Sequence, residues 1–435
     1  MNAALSTPAP ARVVLSHPGT GVFVQQVGRA LFEAGWLQRF VTTVVDRPTA
    51  RWRRLASVNA WLDNELRRRT VSGFPDRLAV ATPGRELLRL LVRRFDRTGV
   101  STDRVWEWAE HSFDAWVARH ALDGARAVYA YEHAALETFR VAKERGMSCF
   151  YDVPAPEHEF AQRVRDQEIA EHPELDSAYQ RQTRLCRARR TDRRRREWQA
   201  ADLIFTSSVF TRSTYAAAGL DVSRVRVIPP GAPPVHPDEE GMNHPRPDRP
   251  ARFLFVGAVA IHKGAHHLLA AWRQLKIPKG AATLEIVGDI TLPKALLRGC
   301  PESVRFVGRV RPEEVFACYR AADALVFPTL CDGFGMVVTE AFSQGVPVIT
   351  TPRAGAAELV REGVNGFVVP AADPDSLART LDWCLTHRAE LHAMRQTARA
   401  TAAAWQWSDY RRQLIREIVS FSVPGLAAST ELSAS

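Results

Sequence analysis

The chain has 435 residues, of which 46% are apolar, 24% charged and 9% aromatic, enough to fill a large core and, at this length, more than one domain. Its 25 Gly, 27 Pro and 6 Cys exclude collagen-like repetition, wholesale disorder and a small disulfide scaffold. Basic residues outnumber acidic ones by 58 to 48, and nine Arg against Asp192 and Glu197 fall between Arg181 and Trp198, so most of the surplus is local.

The cysteines, at 149, 186, 300, 318, 331 and 384, form no Cys-x-x-Cys pair and no interleaved His spacing of the zinc type. Reduced thiols in a cytoplasmic protein are expected. Prolines at 8 and 10 follow a short Ala/Leu patch, which argues against a signal peptide. No apolar run approaches the roughly 20 residues that span a bilayer, so any membrane contact is expected to be peripheral. Lysine is scarce: 143, 263, 276, 279 and 294 are the whole set.

In chain order, the β-branched run Arg12–Ser16 predicts a strand, followed by the loop His17-Pro-Gly-Thr-Gly21 and a helix from Phe23 to Ala34. Gly19 and Gly21 allow that loop to bring backbone close to a ligand, although a plain strand-to-helix turn has the same composition. Residues 50 to 120 carry helical spacing with many Arg and Trp, and their cluster Arg51, Arg53, Arg54, Arg67, Arg68 and Arg69 reads as solvated helix faces. Strands return at Ala127–Tyr131 and Ser148–Asp152, with a helix from Ala134 to Arg145 between them. A long arginine-rich helix ends near Ala200, and strands Leu203–Thr206 and Val225–Ile228 enclose a helix to Gly219.

Eight prolines between Pro229 and Pro250 mark an exposed connection. A second series then places strands at Arg252–Gly257, Leu284–Gly288, Val304–Gly308, Ala324–Phe327, Val346–Ile349 and Gly366–Val369, alternating with helices. The expected fold class is therefore α/β, with two doubly wound, Rossmann-like parallel-sheet domains facing a cleft. The boundaries expected are 1–230 for the first domain, 231–250 for the hinge and 251–405 for the second domain. Residues 406–422 form a helix returning to the first domain, and 423–435 a frayed tail.

The segment from Phe327 to Val348 carries the densest chemistry. A strand ends at Phe327, the loop Asp332-Gly333-Phe334-Gly335 follows, and a helix begins near Met336. Free amides at such a helix start suit a phosphate, and the carboxylates of Asp332 and Glu340 suit sugar hydroxyls. Upstream, Val256-Gly-Ala-Val-Ala-Ile-His-Lys263-Gly264 adds a cation after a strand-end glycine. A cation near a helix start is unfavourable unless an anion joins it.

These residues resemble the retaining nucleotide-sugar glycosyltransferases of family four, which have the GT-B architecture. Asp332 to Glu340 is similar to that family's paired-carboxylate motif, with Gly-Phe-Gly inside. Ala201–Ser208, Val227–Gly231 and Gly363–Pro370 are similar to its flanking stretches. The resemblance covers nearly all of 201 to 405 and, more loosely, the N-terminal half. It implies that Lys263 contacts the donor diphosphate, that the segment Gly333, Phe334, Gly335, Met336 and Val337 holds the phosphate, and that Glu340 binds ribose and Asp332 the transferred sugar. Gly308, Arg309 and Val310 would flank the base, and Gly19 and Gly21 would approach the sugar phosphates. The donor implied is a UDP- or GDP-sugar, and the acceptor a carbohydrate or a lipid-linked one.

Three departures stand out. Ala258 occupies a position where the family usually has Arg, leaving Arg309 or His262 as candidate replacements. The first carboxylate is Asp rather than Glu. Asp152 stands near where relatives carry a sugar-contacting His; Asp152 and His133 are the candidates for sugar positioning, against plain roles as a turn former and a strand-end residue. No metal or cofactor is expected in the transfer, because Lys263 and the helix amides are expected to carry the leaving group's charge. The Arg181–Arg196 run reads first as a solvated face and alternatively as an anionic-lipid contact. Nucleic acid is not expected, because no aromatic platform accompanies it. The rival functions are a GT-B-fold nucleotide-sugar epimerase and a non-catalytic binder of sugar nucleotides or anionic lipid.

Overall fold

The computed structural model describes residues 12–46, 66, 69–237 and 249–421. Arg51, Arg53, Arg54, Arg67, Arg68, most of the proline-rich hinge and the C-terminal tail lie outside them.

The N-terminal domain is built on seven parallel strands in the order β3-β2-β1-β4-β5-β6-β7. They are β1 Val13–Ser16, β2 Leu37–Thr42, β3 Ala79–Ala81, β4 Ala127–Tyr131, β5 Ser148–Val153, β6 Leu203–Thr206 and β7 Val225–Val227. The helices between them are α1 Val22–Glu33, α2 Pro83–Phe95, α3 Val100–His120, α4 Leu136–Glu144, α5 His158–Glu171, α6 Ala178–Ala200 and α7 Val209–Ala217. Successive side chains alternate between sheet faces. Val13 and Leu15 face α1, with Val27 and Leu31, whereas Val14 faces Phe113, Phe139 and Trp198 of α3, α4 and α6. Both faces are covered, as an all-parallel sheet requires.

The C-terminal domain repeats the plan with six parallel strands in the order β10-β9-β8-β11-β12-β13. These are β8 Ala251–Val256, β9 Ala282–Val287, β10 Val304–Gly308, β11 Ala324–Phe327, β12 Val348–Thr350 and β13 Gly366–Val368. Helices α8 Ala265–Gln274, α9 Lys294–Leu297, α10 Pro312–Ala321, α11 Met336–Ser343, α12 Pro374–Thr386 and α13 Arg388–Ala404 surround the sheet. Phe253, Phe255 and Ile286 pack under α8 and α12, and Leu254, Val256 and Phe327 pack under α11 and α13.

The chain crosses between domains twice, side by side. Ala232 donates its N–H to the Trp405 carbonyl at 2.9 Å, and the Trp405 indole donates to the Pro229 carbonyl at 2.8 Å. Helix α14, Trp407–Ser420, then lies on α1, with Tyr410, Leu414 and Ile418 in the first domain's core and Arg411 paired with Glu33 at 2.8 Å.

The sequence reading placed no strand at β2 or β3. Leu37-Gln-Arg-Phe-Val-Thr42 interrupts its apolar run with Gln38 and Arg39, and Ala79–Ala81 is too short to show a period. The arginine run lies on α6 but is not a solvated face throughout. Arg181, Arg189 and Arg196 have side chains 56%, 67% and 59% exposed, while Arg190, Arg193 and Arg194 are 4%, 12% and 16% exposed. Each of the nine Arg side chains meets a carboxylate, including Asp176, Asp166, Glu107, Asp114 and Glu132. The run is thus the ionic seam that joins α6 to α3, α5 and the end of β4. No helix among the described residues is long and apolar enough to cross a membrane.

Candidate functional site

The cleft between the domains holds two cavities. The first, about 330 Å³, is enclosed by Pro154 and Ser207 from the N-terminal domain and by Gly257, Lys263, Asp332 and the start of α11. Each wall follows from local sequence. Strand β8 ends at Val256, and a single 3-10 turn over Ile261–Lys263 delivers Lys263 immediately ahead of α8. Strand β11 ends at Phe327, and the loop to α11 runs through Asp332 and Gly335.

Gly333 and Gly335 are required by this geometry. A Cβ at Gly333 would lie 1.7 Å from the Pro154 carbonyl oxygen, so only glycine lets the loop approach the other domain. Gly335 has φ +86° and caps the start of α11. The Gly333 carbonyl in turn accepts from Ser208 Oγ at 2.5 Å and Thr211 Oγ1 at 3.0 Å, both on the N-terminal domain.

Lys263 and Asp332, assigned separately by the sequence reading to diphosphate and sugar, form an ion pair at the cavity. The ammonium also lies 5.2 Å from the Phe327 ring centre. Asp332 further accepts the Phe334 N–H at 3.1 Å. Phe334, Gly335, Met336 and Val337 line the same cavity, so the start of α11 presents its amide end to it.

Glu340 sits one turn into α11 and accepts a 2.8 Å hydrogen bond from the Tyr319 hydroxyl of α10. Burial pushes its carboxyl above the usual range, and the Tyr319 bond works against that. It is not among the residues lining either cavity. Gly308 closes β10 and accepts from the Gly288 N–H at 2.9 Å, while Val310 packs into the core beneath α11.

The second cavity, about 400 Å³, is walled by the loop from His17 to Gly21 and reaches across to Arg309. Arg69, Arg89 and Arg93 also line it, with Glu86, Glu110 and Glu132. Arg69 and Arg89 share Glu86 at 2.6 Å each. Arg309 pairs with Asp289, which also receives Arg93 at 3.3 Å from the opposite domain. Arg309, read as a base-flanking residue, therefore stands where the His17–Gly21 loop meets the second domain. Burial lowers His17 to about 4 against a backbone bond to Gly19, whose N and O lie 2.7 and 2.8 Å from the ring's Nδ1. Burial raises Glu110 to about 8. Near Lys263, His262 is lowered to about 4, by burial first and then by the Lys263 charge.

Asp152 and His133 are not brought to either cavity. Asp152 lies on the α14 face of its sheet, 1% exposed, accepting from the Tyr129 hydroxyl at 2.6 Å; burial raises its carboxyl to about 8. His133 has φ +73° and is 2% exposed. Its ring stacks on Trp106 at 4.7 Å, and burial holds it far below the usual imidazole range. The sugar-positioning roles expected of these two are corrected to core roles, because strand alternation turns one inward and a left-handed turn sends the other towards α3. Ser208, Thr211, Tyr319, Arg89 and Arg93 were not singled out from sequence, although Ser208 closes one of the similar stretches, and Arg69, read as part of a solvated face, is instead largely buried on Glu86.

A family model described as Glycosyl transferases group 1 matches residues 238–401. Among curated proteins, the chain is similar to a D-inositol 3-phosphate glycosyltransferase of Corynebacterium urealyticum, 32% identical over 173 residues that cover 37% of this chain and 41% of that protein. It is also similar to a glycogen synthase of Mycobacterium tuberculosis, 33% identical over 134 residues, covering 30% of this chain and 32% of the relative. The matches thus span less than half the length of these relatives. Among solved structures, sucrose-phosphate synthase from Thermosynechococcus elongatus superposes with a TM-score of 0.63 at 20% identity, covering 95% of this chain and all of that one. Anabaena HepE in complex with UDP-glucose does so with a TM-score of 0.62 at 15% identity, over 94% and 99% of the two chains. Residues 238–401 are therefore similar to a glycosyl transferases group 1 domain, and the whole chain has a two-domain fold of the GT-B kind.

Proposed function

We propose that the protein is a retaining glycosyltransferase that moves a hexose from a UDP- or GDP-sugar to a carbohydrate or lipid-linked acceptor. The observation that carries the reading is the convergence of Lys263, Asp332 and the amide end of α11 on one cavity in the cleft. A donor diphosphate there takes over Lys263 and the helix amides, and Asp332, released from its cation, meets the sugar hydroxyls. Glu340, held by Tyr319, is the ribose ligand, and the backbone of 308–310 flanks the base.

In this reading the C1–phosphate bond breaks while the acceptor oxygen bonds to C1 on the same face, and the acceptor's proton passes to the leaving phosphate oxygen. The protein's part is electrostatic: the Lys263 charge and the α11 amides stabilise the leaving group. No metal ion is needed for that step. The second cavity takes the acceptor, and its arginines suit one with an anionic group. The D-inositol 3-phosphate glycosyltransferase relative fits such an acceptor. The chemistry is expected to proceed in the cytoplasm.

The deciding experiment is thermal stabilisation by nucleoside diphosphates and their sugars, with wild type beside Lys263→Ala and Glu340→Ala. A shift with one donor, lost in both variants, supports the reading, and proton NMR of the product then tests retention. No shift with any nucleotide overturns it.

A further inference from the structure

At the junction of the two domains, away from both cavities, four metal-ligating side chains converge. Glu168 is on α5 and His172 just beyond its end; His266 and His267 occupy the first turn of α8 in the other domain. One ligand atom from each lies within 4.8 Å of every other. Glu168 Oε2 is 2.7 Å from Nε2 of both His266 and His267. Glu168, His266 and His267 are 2%, 7% and 6% exposed, and Nδ1 of His266 is buried with no partner. Ile169 and Leu175, which flank Glu168 and His172, pack into the C-terminal domain's core, so the site is anchored on both sides.

We propose that Glu168, His172, His266 and His267 form a site for a zinc-class transition metal ion that ties the two domains together. Three imidazoles and one carboxylate are the donor set of a tetrahedral ion of this class. Ligand atoms around tetrahedral zinc lie roughly 3.3 Å apart, so the present spacing needs only small side-chain shifts.

The local charge also favours a cation. The Glu168 carboxylate faces both imidazoles at 2.7 Å, and the Glu174 carboxylate stands 3.7 Å from His172. The other such cluster among the described residues, Glu107, His111 and His133, contrasts with it. There Glu107 is already engaged by Arg189 and Arg190 at 2.7 and 3.1 Å, and the neighbouring arginines repel an ion. A bound ion at the first site fixes α5 on α8 immediately beyond Lys263. This reaches beyond the transferase reading and does not depend on it.

The test uses the full chain, stripped with chelator and titrated with Zn²⁺ by calorimetry and with Co²⁺ by visible absorption, without sugar or nucleotide. One equivalent bound, with the intense bands of tetrahedral Co²⁺, is the expected result. His172→Ala, whose residue is half-exposed, and Glu168→Gln, which keeps an acceptor for both imidazoles, are expected to lose at least about tenfold in affinity. His111→Ala is expected to bind as wild type does. The proposal is overturned by the lack of stoichiometric binding, by affinities unchanged in both variants, or by loss confined to His111→Ala.

Discussion

Ser208 donates its hydroxyl to the carbonyl of Gly333 at 2.5 Å, from the cap of α7 in one domain to the loop of the other that carries Asp332. Thr211 binds the same oxygen at 3.0 Å, and the opposite side of Gly333 lies against the Pro154 carbonyl. The loop is clamped between two N-terminal segments, so the placement of Asp332 depends on how the domains close.

Gly333→Ala tests that clamp. Its Cβ would meet backbone oxygen at 1.7 Å, which cannot swing aside as a side chain would, so the loop must retreat from the N-terminal domain. The expected outcome is a loss of about 10²-fold or more in kcat/KM with a stability cost of about 1–3 kcal/mol. Ser208→Ala leaves Thr211 on the carbonyl, and costs about 1 kcal/mol and tenfold or less in rate. Steady-state kinetics and thermal melts on both variants check this; wild-type kinetics for Gly333→Ala would refute it.

The Lys263–Asp332 pair yields opposite expectations for its two members. In the proposed donor site, Lys263→Ala removes the cation for the diphosphate and leaves an unpaired carboxylate beside it, so nucleoside diphosphate affinity is expected to fall by about 10–10²-fold, or about 1.4–2.7 kcal/mol. Asp332→Asn frees the ammonium, so the same ligand binds as tightly as before or more tightly while turnover falls. Calorimetry with the nucleotide separates the two. Equal losses in affinity would instead place Asp332 on the diphosphate.

Asp152 carries a pH signature. Burial raises its folded-state pKa to about 8, above the ordinary unfolded carboxylate near 4. The native state therefore holds a proton that the unfolded chain has released, so its contribution to stability is complete below about pH 4 and is lost as pH rises towards 8. Asp152→Asn, which still accepts from Tyr129, is expected to flatten that decline and to melt higher than wild type at pH 8. Melts across this range check it, and parallel curves for the two proteins would refute the assignment.

Much of this organisation was legible from local pattern. Phe327, Asp332–Gly335 and Met336 could be placed as strand end, loop and helix start because those signals are short-range. What could not be read depends on contacts distant in sequence. Nothing local pairs Lys263 with Asp332 or seats Ser208 on Gly333. Asp152 and Tyr151 are neighbours in a strand, and only the packing of α14 decides that Asp152 points into the core rather than towards the cleft. The three His ligands escaped spacing rules because His172 and the pair His266–His267 come from different domains. The arginine run failed in the same way, since its composition is that of a wet surface while its partners sit on α3 and α5.

That run supplies a stability contrast between buried and exposed arginines. Arg190 is 4% exposed and bonds Asp103 at 2.7 Å and Glu107 at 3.1 Å, both carboxylates also nearly buried. Removing it leaves Glu107 with Arg189 alone and Asp103 without its close cation, and an uncompensated buried charge costs about 3–5 kcal/mol. Arg181, 56% exposed on the same helix and paired with Asp176 at 3.2 Å, contributes about 0–1 kcal/mol because water screens the pair. Arg190→Met is therefore expected to lower the denaturation midpoint steeply, and Arg181→Ala to leave it nearly unchanged. Arg190→Met with Asp103→Leu and Glu107→Leu should recover much of the loss, because apolar groups of similar volume substitute well for a buried ion cluster. Chemical denaturation of the four proteins decides it: equal effects at 181 and 190 would show that the run is a solvated face after all.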